Sequence, residues 1–259
     1  MKIGIFDSGL GGLLILKKIR ERLPQYDYVY YGDNARVPYG NRSKKIIYQF
    51  TKEAIEFLFK KDCQLVILAC NTATSNALRQ IQRQYLPHYY PDRRVLGVII
   101  PTIEYLKDNQ NIKTLAVIAT SSTVNSKSFT KEIRKINNKI KVYEKACPLL
   151  VPYIESGMKN KKILQLILKE YLKVFFKKKI DLLILGCTHY GLIKKEIIEV
   201  IGRKIKVIDQ AQLIAERLFL YLKNHQEIKD KLSKKGKVEY FFSDFNKNYQ
   251  KLMRYFLEK

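Results

Sequence analysis

Two of the four cysteines stand where a strand pattern ends and a helix pattern begins. Cys70 follows the apolar run Leu65–Ala69, and Cys187 follows the similar run Leu182–Gly186. A thiol in that position lies near free backbone N–H groups and the positive end of a helix dipole, which favour the thiolate. We therefore expect both cysteines to be reactive, although either one alone could equally be a small buried residue at a strand end.

A pair of such thiols on opposite sides of a cleft could perform one specific reaction. One thiolate removes a proton from one face of a carbon atom, and the opposite thiol returns a proton to the other face. The stereocentre is inverted without a cofactor. The other two cysteines, Cys63 and Cys147, are expected to be core residues, and no pair has the two-residue spacing of a zinc or redox motif. We expect no metal and no disulfide.

The segment Asp7-Ser-Gly-Leu-Gly-Gly12 follows the first strand pattern and opens a helix. Its glycines let the backbone approach a ligand closely, and a helix N-terminus favours an anion such as a carboxylate. It is not a dinucleotide fingerprint, because Leu14 stands at the third glycine position, and no Gly-Lys-Ser/Thr of a phosphate loop follows. A tight turn without a ligand is the alternative.

Polar residues also follow other strand patterns. The loop Asp33–Gly40 contains Pro38, which stiffens it, and Tyr39, which could line a pocket. His189 lies two residues after Cys187, where it could exchange a proton with the thiol or contact a substrate. A structural histidine is the alternative.

Short apolar strands alternate with amphipathic helices along the chain, which predicts an α/β fold with largely parallel sheets. The predicted strands are Lys2–Phe6, Asp27–Tyr31, Gln64–Ala69, Arg94–Ile99, Thr114–Ala119, Lys141–Glu144, Asp181–Leu185, Lys206–Ile208 and Val238–Phe242. The predicted helices are Gly12–Arg22, Ser43–Lys60, Thr74–Tyr85, Ile163–Lys177, Ile193–Val200, Ala211–Leu222 and Asn246–Glu258. Ligands of such sheets bind beyond the carboxyl ends of the strands, where the polar residues above stand.

The sequence also contains an internal repeat. The run Leu65–Thr72, which includes Cys70, resembles Leu182–His189, which includes Cys187. A weaker similarity links Ile3–Ser8 to Leu115–Thr120 at nearly the same separation. We therefore expect two related α/β halves, each placing a cysteine after an equivalent strand.

Composition narrows the class of protein. The chain has 259 residues, 46% of them hydrophobic, which is typical of a folded globular protein rather than a disordered one. No apolar run is long enough for a membrane span or signal peptide, so we expect a cytoplasmic protein. The net charge of +25 raises the possibility of nucleic-acid binding, but the basic residues are spread along the chain and favour a solvated surface instead.

Five blocks together resemble the glutamate racemase family, and they occur in the family's order. They are Asp7-Ser-Gly-Leu-Gly-Gly, Val37-Pro-Tyr-Gly, Cys70-Asn-Thr-Ala-Thr, Cys147-Pro-Leu-Leu-Val-Pro and Gly186-Cys-Thr-His-Tyr. The resemblance implies a cofactor-independent racemase that interconverts L- and D-glutamate and supplies D-glutamate for bacterial peptidoglycan. It also implies a homodimer, and two α/β domains, residues 1–97 with 207–259 and residues 98–206, with the active site between them.

The resemblance implies a role for each matched residue. Cys70 would remove the proton from D-glutamate, and Cys187 from L-glutamate. The substrate would be bound by Asp7, Ser8, Tyr39, Gly40, Asn71, Thr72, Thr188 and His189. Asp7 and His189 would also assist the neighbouring thiols, with Glu155 as a further auxiliary carboxylate. Asn71, Thr72 and Thr188, with the glycine-loop N–H groups, are the candidate donors for developing negative charge.

The sequence departs from the family at two places near these residues. Asp209-Gln-Ala211 stands where the family commonly has Asp-Ser-Gly, so Gln210 and Ala211 are unusual, and Gly191 stands where Pro is frequent. These departures affect loop geometry, domain closure or regulation more than the reaction.

Three alternative functions remain open from the sequence. The first is a two-cysteine isomerase of the same superfamily that acts on aspartate or another small acid. The second is a protein that binds DNA, or a DNA enzyme, through its basic surface. The third is a thiol–metal site.

Overall fold

Nine parallel strands form two sheets in the structure, a computed structural model that describes residues 1–258 apart from the side chain of Asn248. The strands are β1 (Lys2–Asp7), β2 (Tyr28–Gly32), β3 (Cys63–Leu68), β4 (Arg94–Gly97), β5 (Thr114–Ala119), β6 (Lys141–Ala146), β7 (Leu182–Leu185), β8 (Lys206–Ile208) and β9 (Val238–Phe242). The α/β class with parallel sheets is therefore confirmed, and each predicted strand is present within two residues at each end.

The two sheets repeat one strand order. The first runs β4-β3-β1-β2-β9 and the second β8-β7-β5-β6, so β1 to β4 correspond to β5 to β8. All pairings are parallel. The repeat found in the sequence thus corresponds to two equivalent half-sheets, with β9 added at the edge of the first.

Helices cover both faces of the sheets. They are α1 (Gly12–Arg22), α2 (Lys44–Lys60), α3 (Asn71–Asn76), α4 (Leu78–Gln80), α5 (Leu86–Tyr89), α6 (Ile99–Glu104), α7 (Ser121–Ser126), α8 (Ser128–Ile136), α9 (Leu150–Glu155), α10 (Lys161–Leu172), α11 (Lys194–Ile201), α12 (Ala211–Asn224), α13 (Gln226–Lys229) and α14 (Lys247–Glu258). Short 3₁₀ helices span Asn34–Arg36, Tyr39–Asn41, Lys173–Phe175 and Thr188–Ile193, and Ile81–Tyr85 is a π-helix. No helix among residues 1–258 is long and apolar enough to cross a membrane.

Consecutive side chains along the central strands point to opposite faces of the sheet and belong to different apolar clusters. Ile5 of β1 and Leu183 of β7 belong to a large cluster that contacts both sheets. Phe6 faces a second cluster beside the first sheet, and Ile184 faces a third beside the second sheet. Both faces of each sheet are therefore buried, which explains why these strands are continuous apolar runs.

The chain passes between the sheets twice, after β4 and after β8. β8 pairs with β7, so Val207 and Ile208 belong to the second sheet, whereas β9 pairs with β2 in the first. We propose the two-domain division with the second crossing at residues 209–210, two residues later than the sequence suggested. The polar residues after β1, β3 and β7 then face one another between the domains.

Candidate active site

Both expected thiols line one narrow cavity between the domains. Cys70 lies two residues beyond β3 and directly precedes α3, and Cys187 lies two residues beyond β7 and directly precedes a 3₁₀ helix. The cavity is lined by Ser8, Val37, Pro38, Tyr39, Gly40, Cys70, Asn71, Thr72, Thr120, Val151, Cys187, Thr188 and His189. Equivalent strand ends of the two halves thus bring the two thiols to one space, as the repeat predicts.

Cys70 is surrounded by groups that affect its proton in opposite ways. The Ser8 hydroxyl lies 3.3 Å from the sulfur. Burial and the nearby Asp7 carboxylate raise the pKa of Cys70 to about 12, although Ser8 and the backbone N–H of Ala73 lower it in part. In this state Cys70 is a thiol, contrary to the thiolate expected from the helix position alone, because burial outweighs the helix terminus.

Asp7 links the first domain to the residue that follows Cys187. Its carboxylate accepts hydrogen bonds from the backbone N–H of Gly9 at 3.0 Å and from the Thr188 hydroxyl at 3.3 Å. Burial raises the pKa of Asp7, and the charge of His189 offsets only part of this rise. Asp7 itself lies behind the cavity wall, in contact with residues that line it.

On the Cys187 side, a buried histidine lies between the thiol and a carboxylate. His189 Nδ1 is 3.8 Å from Cys187 Sγ, and Nε2 is 2.5 Å from Glu155 Oε1. Burial lowers the pKa of His189, but its hydrogen bonds to Cys187 and Glu155 outweigh this and hold the pKa well above the ordinary value. Burial raises the pKa of Glu155, but His189 reverses this and lowers it. The pair is therefore an imidazolium and a carboxylate.

The glycine loop, residues 7–12, binds the carboxylate of Glu155 from the second domain. The backbone N–H of Leu10 donates to Glu155 Oε1 at 3.1 Å. A Cβ on Gly11 would overlap Thr188 and lie 2.7 Å from His189 Nδ1. The absence of a side chain at Gly11 therefore lets the second domain approach closely. The Leu10 N–H, which was expected to face a ligand, donates to Glu155 instead.

The loop after β2 forms another wall of the cavity. The Tyr39 hydroxyl donates a hydrogen bond to Asp33, whose carboxylate also accepts from Arg36 Nε at 2.6 Å. A Cβ on Gly40 would lie 2.6 Å from the Cβ of Thr120 in the second domain. The ring of Tyr39 is thus fixed, and Gly40 is required by a close contact between the domains.

Residues after Cys70 make polar contacts with the second domain. The Thr72 hydroxyl lies 2.8 Å from that of Thr120 and 3.4 Å from that of Thr123. Asn71 Nδ2 donates to Gln210 Oε1 at 2.5 Å. Thr120 and Gln210 were not among the expected site residues. The weak similarity of Leu115–Thr120 to Ile3–Ser8 was the available signal for Thr120.

All eleven expected site residues are therefore brought together, with Asp7 and Glu155 behind the residues that line the cavity. The cavity itself has a volume of about 10 Å³. That is room for about one water molecule. The site is therefore closed in this state, and we expect it to open before an amino acid can enter.

Comparison with known proteins identifies the family. Residues 13–218 match the family model described as Asp/Glu/Hydantoin racemase. The chain belongs to this racemase family. The racemase is 40% identical over 257 residues to a glutamate racemase of Aquifex aeolicus, covering 99% of this chain and 94% of that one. It is 42% identical to a glutamate racemase of Aquifex pyrophilus over 258 residues, with the same coverage.

A solved structure supports the same assignment. The racemase superposes on glutamate racemase from Francisella tularensis in complex with D-glutamate with a TM-score of 0.88 at 34% identity. The match covers 100% of this chain and 94% of the other. The two-domain α/β architecture of the racemase is therefore that of solved glutamate racemases.

Proposed function

We propose that this protein interconverts L- and D-glutamate by proton transfer between the substrate and two cysteines, without a cofactor. One observation carries the proposal: Cys70 and Cys187, from equivalent strand ends of opposed domains, line the same cavity. Two opposed thiols are what inversion at a carbon requires, since the proton leaves one face and returns to the other. The glutamate racemases among the relatives support glutamate as the substrate.

Each thiol has its own auxiliary groups. Cys70, with Ser8 and Asp7 nearby, would remove the proton from D-glutamate, and Cys187 would remove it from L-glutamate. His189 is placed to exchange a proton with Cys187, and Glu155 holds the imidazole in orientation. Asp7 is placed to influence Cys70 through its charge, which raises the pKa of the thiol. The auxiliary groups are therefore not equivalent in the two halves, because the repeat pairs His189 with Thr72 and not with Asp7.

The substrate would be held by polar groups that already face the cavity. Those with this role are Ser8, Tyr39, Gly40, Asn71, Thr72, Thr188 and His189, with Asp7 behind them. Hydroxyl and backbone N–H groups can bind both carboxylates and stabilise the charge that develops when the Cα proton leaves. The bound ammonium would also offset the negative charge of Asp7, one of the causes of the raised pKa of Cys70.

The first experiment incubates the reduced protein with L-glutamate in D₂O without added cofactor. NMR follows deuterium at Cα, and circular dichroism follows optical activity. We expect deuteration together with loss of optical activity. Cys70→Ala and Cys187→Ala should each abolish racemisation, because one thiol can exchange protons but cannot invert the centre. Cys63→Ala is the matched control, since Cys63 is buried in β3 away from the cavity.

Three outcomes would contradict the proposal. Wild-type racemisation by either single cysteine variant would exclude the two-base scheme. Racemisation of aspartate but not glutamate would place the protein with the aspartate enzymes instead. Absence of both deuteration and inversion for either amino acid would exclude racemisation.

The cellular setting is part of the proposal. We propose a cytoplasmic homodimer whose D-glutamate is used for peptidoglycan. Light scattering at micromolar concentration tests the dimer, since it separates twice the chain mass of 30.5 kDa from a monomer. Depletion of the protein in cells should produce wall defects that added D-glutamate corrects.

A further inference from the structure

Gln210 lies at the second crossing between the domains, between the end of β8 at Ile208 and the start of α12 at Ala211. It is only 3% exposed. Its side chain contacts Asn71 of the first domain and Thr102 of α6, which follows the first crossing. Gln210 thus connects both crossings to a residue that lines the cavity.

In each hydrogen bond around Gln210, the donor and the acceptor can be assigned. The Thr102 hydroxyl donates to the carbonyl of Val98 at 2.9 Å, and a carbonyl can only accept. Thr102 Oγ1 therefore accepts from Gln210 Nε2 at 2.7 Å, and Nε2 also faces the same Val98 carbonyl at 3.4 Å. The remaining amide atom of Gln210, Oε1, accepts from Asn71 Nδ2.

This chain of donors fixes the orientation of the Asn71 amide. With Nδ2 held by Gln210, the oxygen Oδ1 is directed elsewhere. Within the described residues, Asn71 Oδ1 is buried and has no hydrogen-bond partner. An unpaired buried acceptor is costly, so a donor is expected when the site is filled. Asn71 lines the cavity, where the substrate brings one cationic donor group, its ammonium.

We propose that Gln210 is a positioning residue that turns Asn71 Oδ1 toward the cavity as an acceptor for the ammonium group of the substrate. The inference rests on the proposed function, because the ammonium is that of glutamate. Without Gln210, the Asn71 amide is free to rotate and to present an N–H group to a cation.

The test compares glutamate with glutarate, which has both carboxylates and no ammonium. Gln210→Met removes the acceptor at similar volume. It should raise the KM for glutamate about tenfold, the effect of one hydrogen bond to a charged group, with a smaller change in kcat. The inhibition constant of glutarate should change less than twofold. Gln212→Met on the exposed face of α12 is the matched control.

The outcomes separate this inference from the proposed function. If the wild-type protein is active and Gln210→Met has an unchanged KM for glutamate, the inference alone is overturned. The same holds if Gln210→Met weakens the binding of glutamate and of glutarate equally. Wild-type protein inactive on glutamate overturns both. If Gln210→Met does not fold, Thr102→Val removes the next link, and a glutamate-specific rise in KM there supports the inference, whereas an unchanged KM contradicts it.

Discussion

Burial controls the protonation of Cys70 more strongly than the helix terminus does. The sequence favours thiolate at Cys70, since it precedes a helix, but the folded environment raises its pKa to about 12. The principal causes, burial and the proximity of Asp7, depend on which chain segments meet. Such contacts between distant segments are not contained in the local pattern around the cysteine.

Ultraviolet absorbance of the thiolate tests the protonation of Cys70 in the closed state, which a reagent of the size of iodoacetamide cannot enter. With a pKa of about 12, the absorbance difference between wild type and Cys70→Ala should show no thiolate up to pH 10. Ser8→Ala should not make the thiolate appear at lower pH, because the Ser8 hydroxyl lowers the pKa. A thiolate signal with a midpoint near pH 8.5 would instead indicate an ordinary thiol.

The His189–Glu155 pair should make stability depend on pH. The folded-state pKa of His189 lies well above 6.5, so its stabilisation is complete below pH 6.5 and is lost as pH rises through the raised value. Glu155→Gln should lower that pKa and reduce the free energy of unfolding by about 1–3 kcal/mol near neutral pH. Urea unfolding across pH 6–9, with imidazole NMR, measures both effects. Equal losses at all pH values would contradict a charged pair.

Most site residues are predictable because they follow strands. Parallel strands bring their carboxyl ends to one edge, so Ser8, Asn71 and Thr188 meet there. Gln210 precedes a helix at a domain crossing, and its contacts with Asn71 and Thr102 arise only from the packing of distant segments. Its departure from the family pattern marks the position as unusual, but nothing in its type or spacing indicates that role.

At the level of elements, the strands were better predicted than the short helices. Continuous runs such as Thr114–Ala119 are apolar on both faces and therefore unambiguous. The sequence interpretation missed α7 and α8, whose residues are mainly polar. In α8, Phe129 and Ile133 are buried and Ile136 is half-buried, and their i, i+4, i+7 spacing places all three on the face that packs against the second sheet. This short apolar signal lies among mainly polar residues and was overlooked.

The start of α1 must approach the second domain closely, which makes Gly11 sensitive to substitution. Gly11→Ala would place a methyl group against Thr188 and His189, so the domains should be held apart. We expect kcat to fall at least about 100-fold, since misplacement by 1 Å has that effect, with a stability loss of about 1–3 kcal/mol.

Gly191→Ala is the matched control for this prediction. A Cβ there has its nearest neighbour, Leu14 Cδ1, at 3.4 Å, which is ordinary contact. Its activity should remain close to that of the wild type. Steady-state kinetics and thermal unfolding of both variants make the comparison. Retention of full activity by Gly11→Ala would show that close approach at this point is not required.

At the scale of the whole molecule, the two halves already meet across the site. Contacts such as Thr72 to Thr120 close the cavity to about 10 Å³, far below the volume of an amino acid. The thiols are thereby shielded from water, which strengthens electrostatic interactions inside. We therefore expect the domains to separate for entry and release during turnover.

A reversible crosslink between the two domains tests this expectation. The Ser128 hydroxyl of α8 donates to the Ser75 carbonyl of α3 at 3.3 Å, so the two positions lie close together. In a Ser75→Cys, Ser128→Cys double variant, oxidation should lock the closed state and reduce turnover to background. Reduction should restore it, and the single variants, which carry the same native thiols, should lose no more activity on oxidation than the wild type does. Full turnover by the crosslinked protein would mean that substrate reaches the thiols without separation of the domains.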